Sequence, residues 1–278
     1  MKPCFDFKGK TVVITGAAGF ICRELAIAFA ECGAKVAALD QNAEGVKKLA
    51  EDIRKENGVC EGFKADVLDK ESLSKVHSDI LHQFGSCDIL INGAGGNNAQ
   101  ATTDNECHNE AKDRDKTFFD LTDSGIDFVF SLNFKGTLLP IKEFAGDMVK
   151  RKSGVILNIS SMNAITPLTK IPAYSAAKAG VSNFTKWLAT YFARSGIRCN
   201  AIAPGFLVSE QNKTLLFDGS GNPTKRSEKI LRNTPMQRFL EAREMAGATL
   251  MLCDDSLSSA ITGVILPIDG GFSAYSGV

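Results

Sequence analysis

The chain lacks a charge bias. Its 278 residues carry 32 Lys+Arg against 32 Asp+Glu, so nothing in the balance points to nucleic acid or an anionic membrane as a partner. It also lacks any apolar run near the length needed to span a bilayer. The opening MKPCFDFKGK has no apolar core of a signal peptide, and the expected location is cytoplasmic. No CxxC pair occurs. The eight cysteines, Cys4, Cys22, Cys32, Cys60, Cys87, Cys107, Cys199 and Cys253, are scattered and mostly inside apolar runs. That suits reduced, partly buried thiols rather than a disulfide framework. Repeats and linkers are absent too. With 44% hydrophobic and 23% charged residues, the expectation is one globular domain, residues 1–278, with a sizeable core.

What is present is a regular beat. TVVIT is a β-branched run. Residues 19–32 carry apolar positions at helical spacing (Phe20, Leu25, Ile27, Ala28) and stop at Gly33. KVAALD reads as a strand, residues 43–56 as a charged helix, VCEGFKA as a strand, residues 70–84 as a polar helix and CDILIN as a buried strand. A βαβαβαβ series predicts an α/β fold: a single-domain Rossmann-type doubly wound parallel sheet with helices on both faces. The beat pauses at residues 96–122, which are polar and charged. A long helix over 123–151 follows, then strand GVILNIS, a helix over 173–195 and strand IRCNAIA. A polar stretch, 205–235, precedes a helix over 241–253 and the closing GVILPIDGG.

The loop TGAAGFIC, residues 15–22, follows the first strand. A βα loop of this kind can set backbone N–H groups and a helix N-terminus against a pyrophosphate. Gly16 permits the tight turn and Gly19 a close approach, while Cys22 stands where many dinucleotide loops have glycine. Phe20 and Cys22 therefore predict a helix packed slightly farther from the sheet, or pyrophosphate contacts shifted toward Gly19. Asp40 ends the second strand, 24 residues after Gly16. There a carboxylate accepts hydrogen bonds from ribose hydroxyls and repels a 2′-phosphate, and Gln41 and Asn42 offer no compensating cation, which favours NAD over NADP. Asp66, ending the third strand, is placed to cap an adenine. Asn92, Gly93, Ala94 and Gly95 form a small-residue turn on which a cofactor can lie. Ala18, Phe20, Ile21, Gln41 and Val67 complete this half of the expected cofactor set.

Tyr174 and Lys178 in YSAAK are four residues apart and share one helical face. Ser161 ends a strand 13 residues before Tyr174, with Ser160 as its competitor. Asn133 lies on the preceding helix, and Pro204-Gly205 follows the next strand. With the TG loop, Asp40, Asp66, NGAG, Asn133, NISS, YSAAK, NAIAPG and the terminal DGG together, the chain resembles the short-chain dehydrogenase/reductase family over essentially its whole length. The loop alone fits the TGxxGxxG of extended members such as sugar-nucleotide epimerases, except at Cys22. The Ser–Tyr spacing and closing strand favour an oxidoreductase over an epimerase or dehydratase with tightly held NAD.

The resemblance implies that Tyr174 is the general acid/base. Lys178 lowers its pKa and binds the nicotinamide ribose, Ser161 holds the substrate oxygen, and Asn133 keeps a water in the proton relay. It implies further cofactor contacts from Pro204, Gly205, Phe206 and Ser209, and a homotetramer. Within the family the pattern resembles D-mannonate oxidoreductases, also called fructuronate reductases, which implies reduction of D-fructuronate by NADH. Gluconate 5-dehydrogenase-like, polyol or 3-oxoacyl reduction are the alternatives. Ser161, Asn163, Lys170 and Asn212 are the expected substrate contacts, and Lys213, Lys225, Arg226 and Arg232 in the second polar stretch suit an anionic substrate. Asn92 to Asn133 spans 41 residues, so 96–122 reads as an insertion, either a solvated excursion or a wall over the substrate. Glu106, Cys107, His108 and Glu110 match no standard ligand spacing, and no metal is expected.

Overall fold

The computed structural model describes residues 5–209 and 212–277. Cys4, and residues 210 and 211 of the second polar stretch, lie outside the described residues. The order is β1 (Thr11–Thr15), α1 (Phe20–Glu31), β2 (Lys35–Asp40), α2 (Ala43–Lys55), β3 (Val59–Lys64), α3 (Lys70–Gln83), β4 (Ile89–Asn92), α4 (Asp123–Phe130), α5 (Gly136–Arg151) and β5 (Gly154–Ile159). It continues through α6 (Pro172–Phe192), β6 (Ile197–Pro204), α7 (Lys213–Leu216), α8 (Lys225–Arg232), α9 (Glu244–Cys253), α10 (Asp255–Ser258) and β7 (Ile265–Ile268).

The strands form one parallel sheet in the order β3-β2-β1-β4-β5-β6-β7. Chain direction across the sheet reverses between β1 and β4, and at such a switch point the strand ends diverge into a crevice. The register aligns its floor: Thr15 lies beside Asn92, and Asn92 beside Asn158. A parallel sheet covered on both faces reads as continuous apolar runs. In β1, Val12 and Ile14 point into one core with Leu25, Phe29 and Leu49, and Val13 points into the other with Leu90, Phe144 and Met148. The buried polar chain Asn92 Nδ2→Asn158 Oδ1 (2.9 Å), Asn158 Nδ2→Thr185 Oγ1 (2.9 Å) and Thr185 Oγ1→Val181 O (2.8 Å) ties β4 and β5 to α6. Unsatisfied polar groups there would be costly, so the chain also fixes α6 against the strand ends.

Two elements differ from the periodicity. The helix expected over 123–151 is broken by a π-helical turn, Ser131–Lys135. The wide turn lets the Asn133 amide reach the Val129 carbonyl (2.8 Å), a geometry that apolar spacing does not encode. The helix expected to reach residue 195 stops at Phe192 and closes through a 3-10 turn, Ala193–Ser195, with Gly196 at φ +71°.

Residues 96–122 carry three 3-10 turns, Ala99–Ala101, His108–Glu110 and Phe118–Asp120. They are stitched shut by Asp104 N→Lys116 O (2.9 Å), Lys116 N→Asp104 Oδ2 (2.7 Å) and Asn105 Nδ2→Asp115 Oδ2 (2.7 Å). Among the described residues no helix is long and apolar enough to cross a membrane.

Candidate active site

The loop after β1 is folded by its own backbone and by Asp40. Gly16 sits at φ +68°, and a Cβ there would come within 2.8 Å of the Ala94 nitrogen. Ala17 N–H goes to Leu39 O (3.0 Å), Ala18 N–H to Asp40 Oδ2 (3.1 Å) and Gly19 N–H to Gly16 O (2.9 Å). Asp40 Oδ1 accepts from Asn42 N (2.9 Å), so the carboxylate locks the loop while each oxygen keeps a lone pair for a ligand. No side chain caps α1, which leaves its first N–H groups facing the crevice beside Gly16, Gly19, Phe20 and Ile21.

The missing third glycine is supplied across the loop. Cys22 is buried, and a Cβ built on Gly93 would overlap its sulfur. Room for the thiol thus comes from Gly93, whose N–H is held by Thr15 Oγ1 (3.1 Å). Burial pushes the Cys22 thiol up to about 12, so it stays protonated at neutral pH.

The crevice has two lobes. One, about 230 Å3, is lined by Asp40, Gln41, Val67, Gly93, Ala94 and Gly95 among others. Asp66 turns its Oδ1 to Leu68 N (2.8 Å), and the wall beside it is formed by Ala65 and Val67. The other lobe, about 460 Å3, brings together Gly19, Ser161, Tyr174, Lys178, Gly205 and Ser209. Leu132, Gly96, Ile159 and Leu207 also line these lobes. Sequence reading missed them because backbone direction, not residue type, brings them there.

Ser161 leaves β5 with its Oγ accepting from Asn163 N (3.2 Å), and its hydroxyl lies beside that of Tyr174. Burial raises the Tyr174 pKa, and the Ser161 contact lowers it in part. Lys178 donates to Ile159 O (2.8 Å), lies 5.8 Å from the Tyr174 ring centroid, and is pushed down to about 8 by burial. Asn133 is fully buried, donating to Gly96 O (2.7 Å) and accepting from Gly96 N (3.2 Å). A Cβ on Gly95 would stand 2.7 Å from Asn133 Oδ1 and 3.2 Å from Lys178 Nζ, so only glycine leaves that line open. The competing Ser160 spends its hydroxyl on Lys178 O (3.2 Å) and Ser182 Oγ (2.6 Å). Its job is to anchor α6.

The expected substrate contacts separate. Asn163 is buried with its Oδ1 unpartnered. Asn212 borders the lobe, but its amide is used to fold the rim, accepting from Ser209 N (2.8 Å) and donating to Leu207 O (2.8 Å). Lys170, at φ +72°, lines a neighbouring cavity and donates to Asp104 O (2.7 Å). Gly205 donates to Ile268 O (2.9 Å) and packs on Asp269, where a Cβ would come within 2.6 Å. Of the imitated metal cluster, Glu106 pairs with Lys229, Cys107 is exposed, and the His108 ring meets Phe119 edge-on at 5.8 Å.

Comparison with known proteins follows the same outline. A family model described as enoyl-(acyl carrier protein) reductase matches residues 16–273. An uncharacterized oxidoreductase of Haemophilus influenzae is 56% identical over 98% of this chain and 96% of its own length. The uncharacterized oxidoreductase UxuB of Bacillus subtilis is 47% identical over 98% of both. The solved structure of a candidate D-mannonate oxidoreductase from Haemophilus influenza, with bound NAD, is 56% identical and superposes with a TM-score of 0.95 over 98% of each chain.

Proposed function

The chain belongs to the short-chain dehydrogenase/reductase family, an oxidoreductase acting on alcohols and ketones, and from that premise we propose that it interconverts D-fructuronate and D-mannonate with NAD(H). The observation that carries the reading is a pair of adjoining lobes that share Gly16, Gly19, Gly93 and Gly95, with Asp40 in one and Ser161, Tyr174 and Lys178 in the other.

The residues present fit a nicotinamide dinucleotide. An uncapped helix end and a glycine-lined trough suit a pyrophosphate. When bound, that group supplies or accepts the hydride. Asp40 would take the ribose hydroxyls and disfavour a 2′-phosphate, and Lys178 would bind the nicotinamide-side ribose. Tyr174, kept protonated by burial, would donate its proton to the carbonyl oxygen while Ser161 holds that oxygen. Lys178 and Asn133, with Gly95 between them, would refill the proton. The substrate class is supported by the similarity to the NAD-bound candidate D-mannonate oxidoreductase and by the cations near the crevice.

We also propose a homotetramer. α6 exposes Trp187 and Tyr191, stacked at 4.7 Å, over a shallow apolar surface shared with α5.

Steady-state assays with D-fructuronate and NADH test the reading. Turnover is expected, and Tyr174→Phe should abolish it while sparing NADH binding. Faster turnover of 5-ketogluconate or a β-ketoacyl thioester would move the substrate, and activity retained in Tyr174→Phe would overturn the mechanism.

A further inference from the structure

A second cavity, about 370 Å3, adjoins the catalytic lobe, and Phe206 lines both. Its charged side chains come from three separate parts of the chain: Glu106 from the 96–122 segment, Lys170 from the turn before α6, and Lys225, Arg226 and Lys229 from α8. Four cations face one carboxylate in a space floored partly by aromatic rings, Phe206 and Phe272 meeting edge-on at 5.2 Å.

The cations are not equivalent. Lys170 Nζ is taken by Asp104 O, while Thr103 N–H returns a bond to Lys170 O (2.9 Å). Lys229 is paired with Glu106. These two contacts fasten the 96–122 segment to the cavity rim, so the segment is a wall rather than a free excursion. The side chains of Lys225 and Arg226 make no hydrogen bond or ion pair among the described residues. They occupy the first turn of α8, behind the Thr224 cap. Cations at a helix N-terminus oppose the helix dipole, and Glu228 on the same turn does not line the cavity. The arrangement places two exposed cations, neither paired by a side chain among the described residues, at the rim of a cavity next to the catalytic lobe, where an anion would be favoured.

We propose that this cavity is the acid-end subsite, in which Arg226, assisted by Lys225, holds the substrate carboxylate while the ketone lies at Ser161 and Tyr174. The inference rests on the sugar-acid reading above and adds the residues that would make the enzyme select an acid. A guanidinium meets a carboxylate through two parallel hydrogen bonds, a geometry that a neutral hydroxymethyl end cannot return. The apolar floor strengthens that contact.

The test compares D-fructuronate, D-fructose and D-fructose 6-phosphate, which share a carbon chain and differ at the end remote from the ketone. Wild-type enzyme should favour the acid over both. In Arg226→Gln the ratio of kcat/KM for fructuronate over fructose should fall roughly tenfold or more, mainly through KM, and further in the double variant with Lys225→Gln. NADH affinity, read by fluorescence titration, reports whether the variants remain folded. Calorimetric titration of D-mannonate into NAD-loaded protein gives a readout independent of turnover and should weaken by a similar factor. If no member of the panel is reduced yet D-mannonate binding depends on Arg226, the substrate reading fails and the subsite stands. An unchanged fructuronate preference in Arg226→Gln, a preference for the phosphate ester, or D-mannonate binding indifferent to Arg226 would overturn the subsite.

Discussion

At Gly93 a Cβ would overlap the Cys22 sulfur, so the two positions must be read as a pair. Gly93→Ala should destabilise the fold by about 1–3 kcal/mol, the usual cost of overpacking. Adding Cys22→Gly should recover much of that loss, though Thr15 O at 3.0 Å keeps the site tight. Thermal denaturation of the single and double variants checks this, and strictly additive losses would contradict it. The same pairing shows what the sequence could and could not yield. The departure at Cys22 was visible, but its compensation 71 positions later was not, because it depends on β4 lying beside β1. Spacing favours Ser161 over Ser160, and in the structure the Ser160 hydroxyl is held between Lys178 O and Ser182 Oγ, where it anchors α6. The titrations of Tyr174 and Lys178 separate. Burial lowers Lys178 to about 8 and raises Tyr174. Below about pH 8 Lys178 is charged, and above it the charge is lost while Tyr174 still holds its proton. The kcat/KM for ketone reduction should therefore fall above about pH 8, and Lys178→Arg, whose guanidinium does not titrate there, should lack that limb. A limb that persists unchanged in the arginine variant would reassign it.

The elements bearing chemistry were legible where period and chemistry agree. α6 carries Tyr174 and Lys178 one turn apart, and the strand ends follow from β-branched runs bounded by glycine. The π-helical turn at Asn133 was not legible, since it arises from a side-chain amide bonding Val129 O and Gly96. Nor was the 96–122 wall, because its docking rests on contacts with Lys170 and Lys229, remote in sequence. α8 is short, and its order depends on Thr224, whose Oγ1 accepts from Ser227 N (3.3 Å) and donates to Leu215 O (2.9 Å). Thr224→Ala should cost about 1 kcal/mol of local stability. It should raise KM for the acid substrate while barely moving Tm, because α8 lies outside the two cores. A variant with unaltered KM would separate α8 from substrate binding.

For the molecule as a whole, the doubly wound parallel sheet with helices on both faces was readable from the alternation of segments, whereas the strand order, and with it the switch point that opens the crevice, is seen only in the structure. The exposed Trp187 and Tyr191 face was not legible, because helical spacing of apolar residues does not tell core from interface. If that face mediates self-association, Trp187→Glu with Tyr191→Glu should convert a tetramer into smaller species in sedimentation, and a monomeric wild type would reject the assembly. In the proposed reaction the crevice reduces a sugar-acid ketone with NADH through Tyr174. The most direct measurement follows NADH loss and D-mannonate formation together, in wild type and Tyr174→Phe, with D-fructuronate as substrate. One mannonate should form per NADH consumed, with little turnover with NADPH and none in the phenylalanine variant. Absence of NADH consumption by the wild type, or undiminished consumption by Tyr174→Phe, would contradict it.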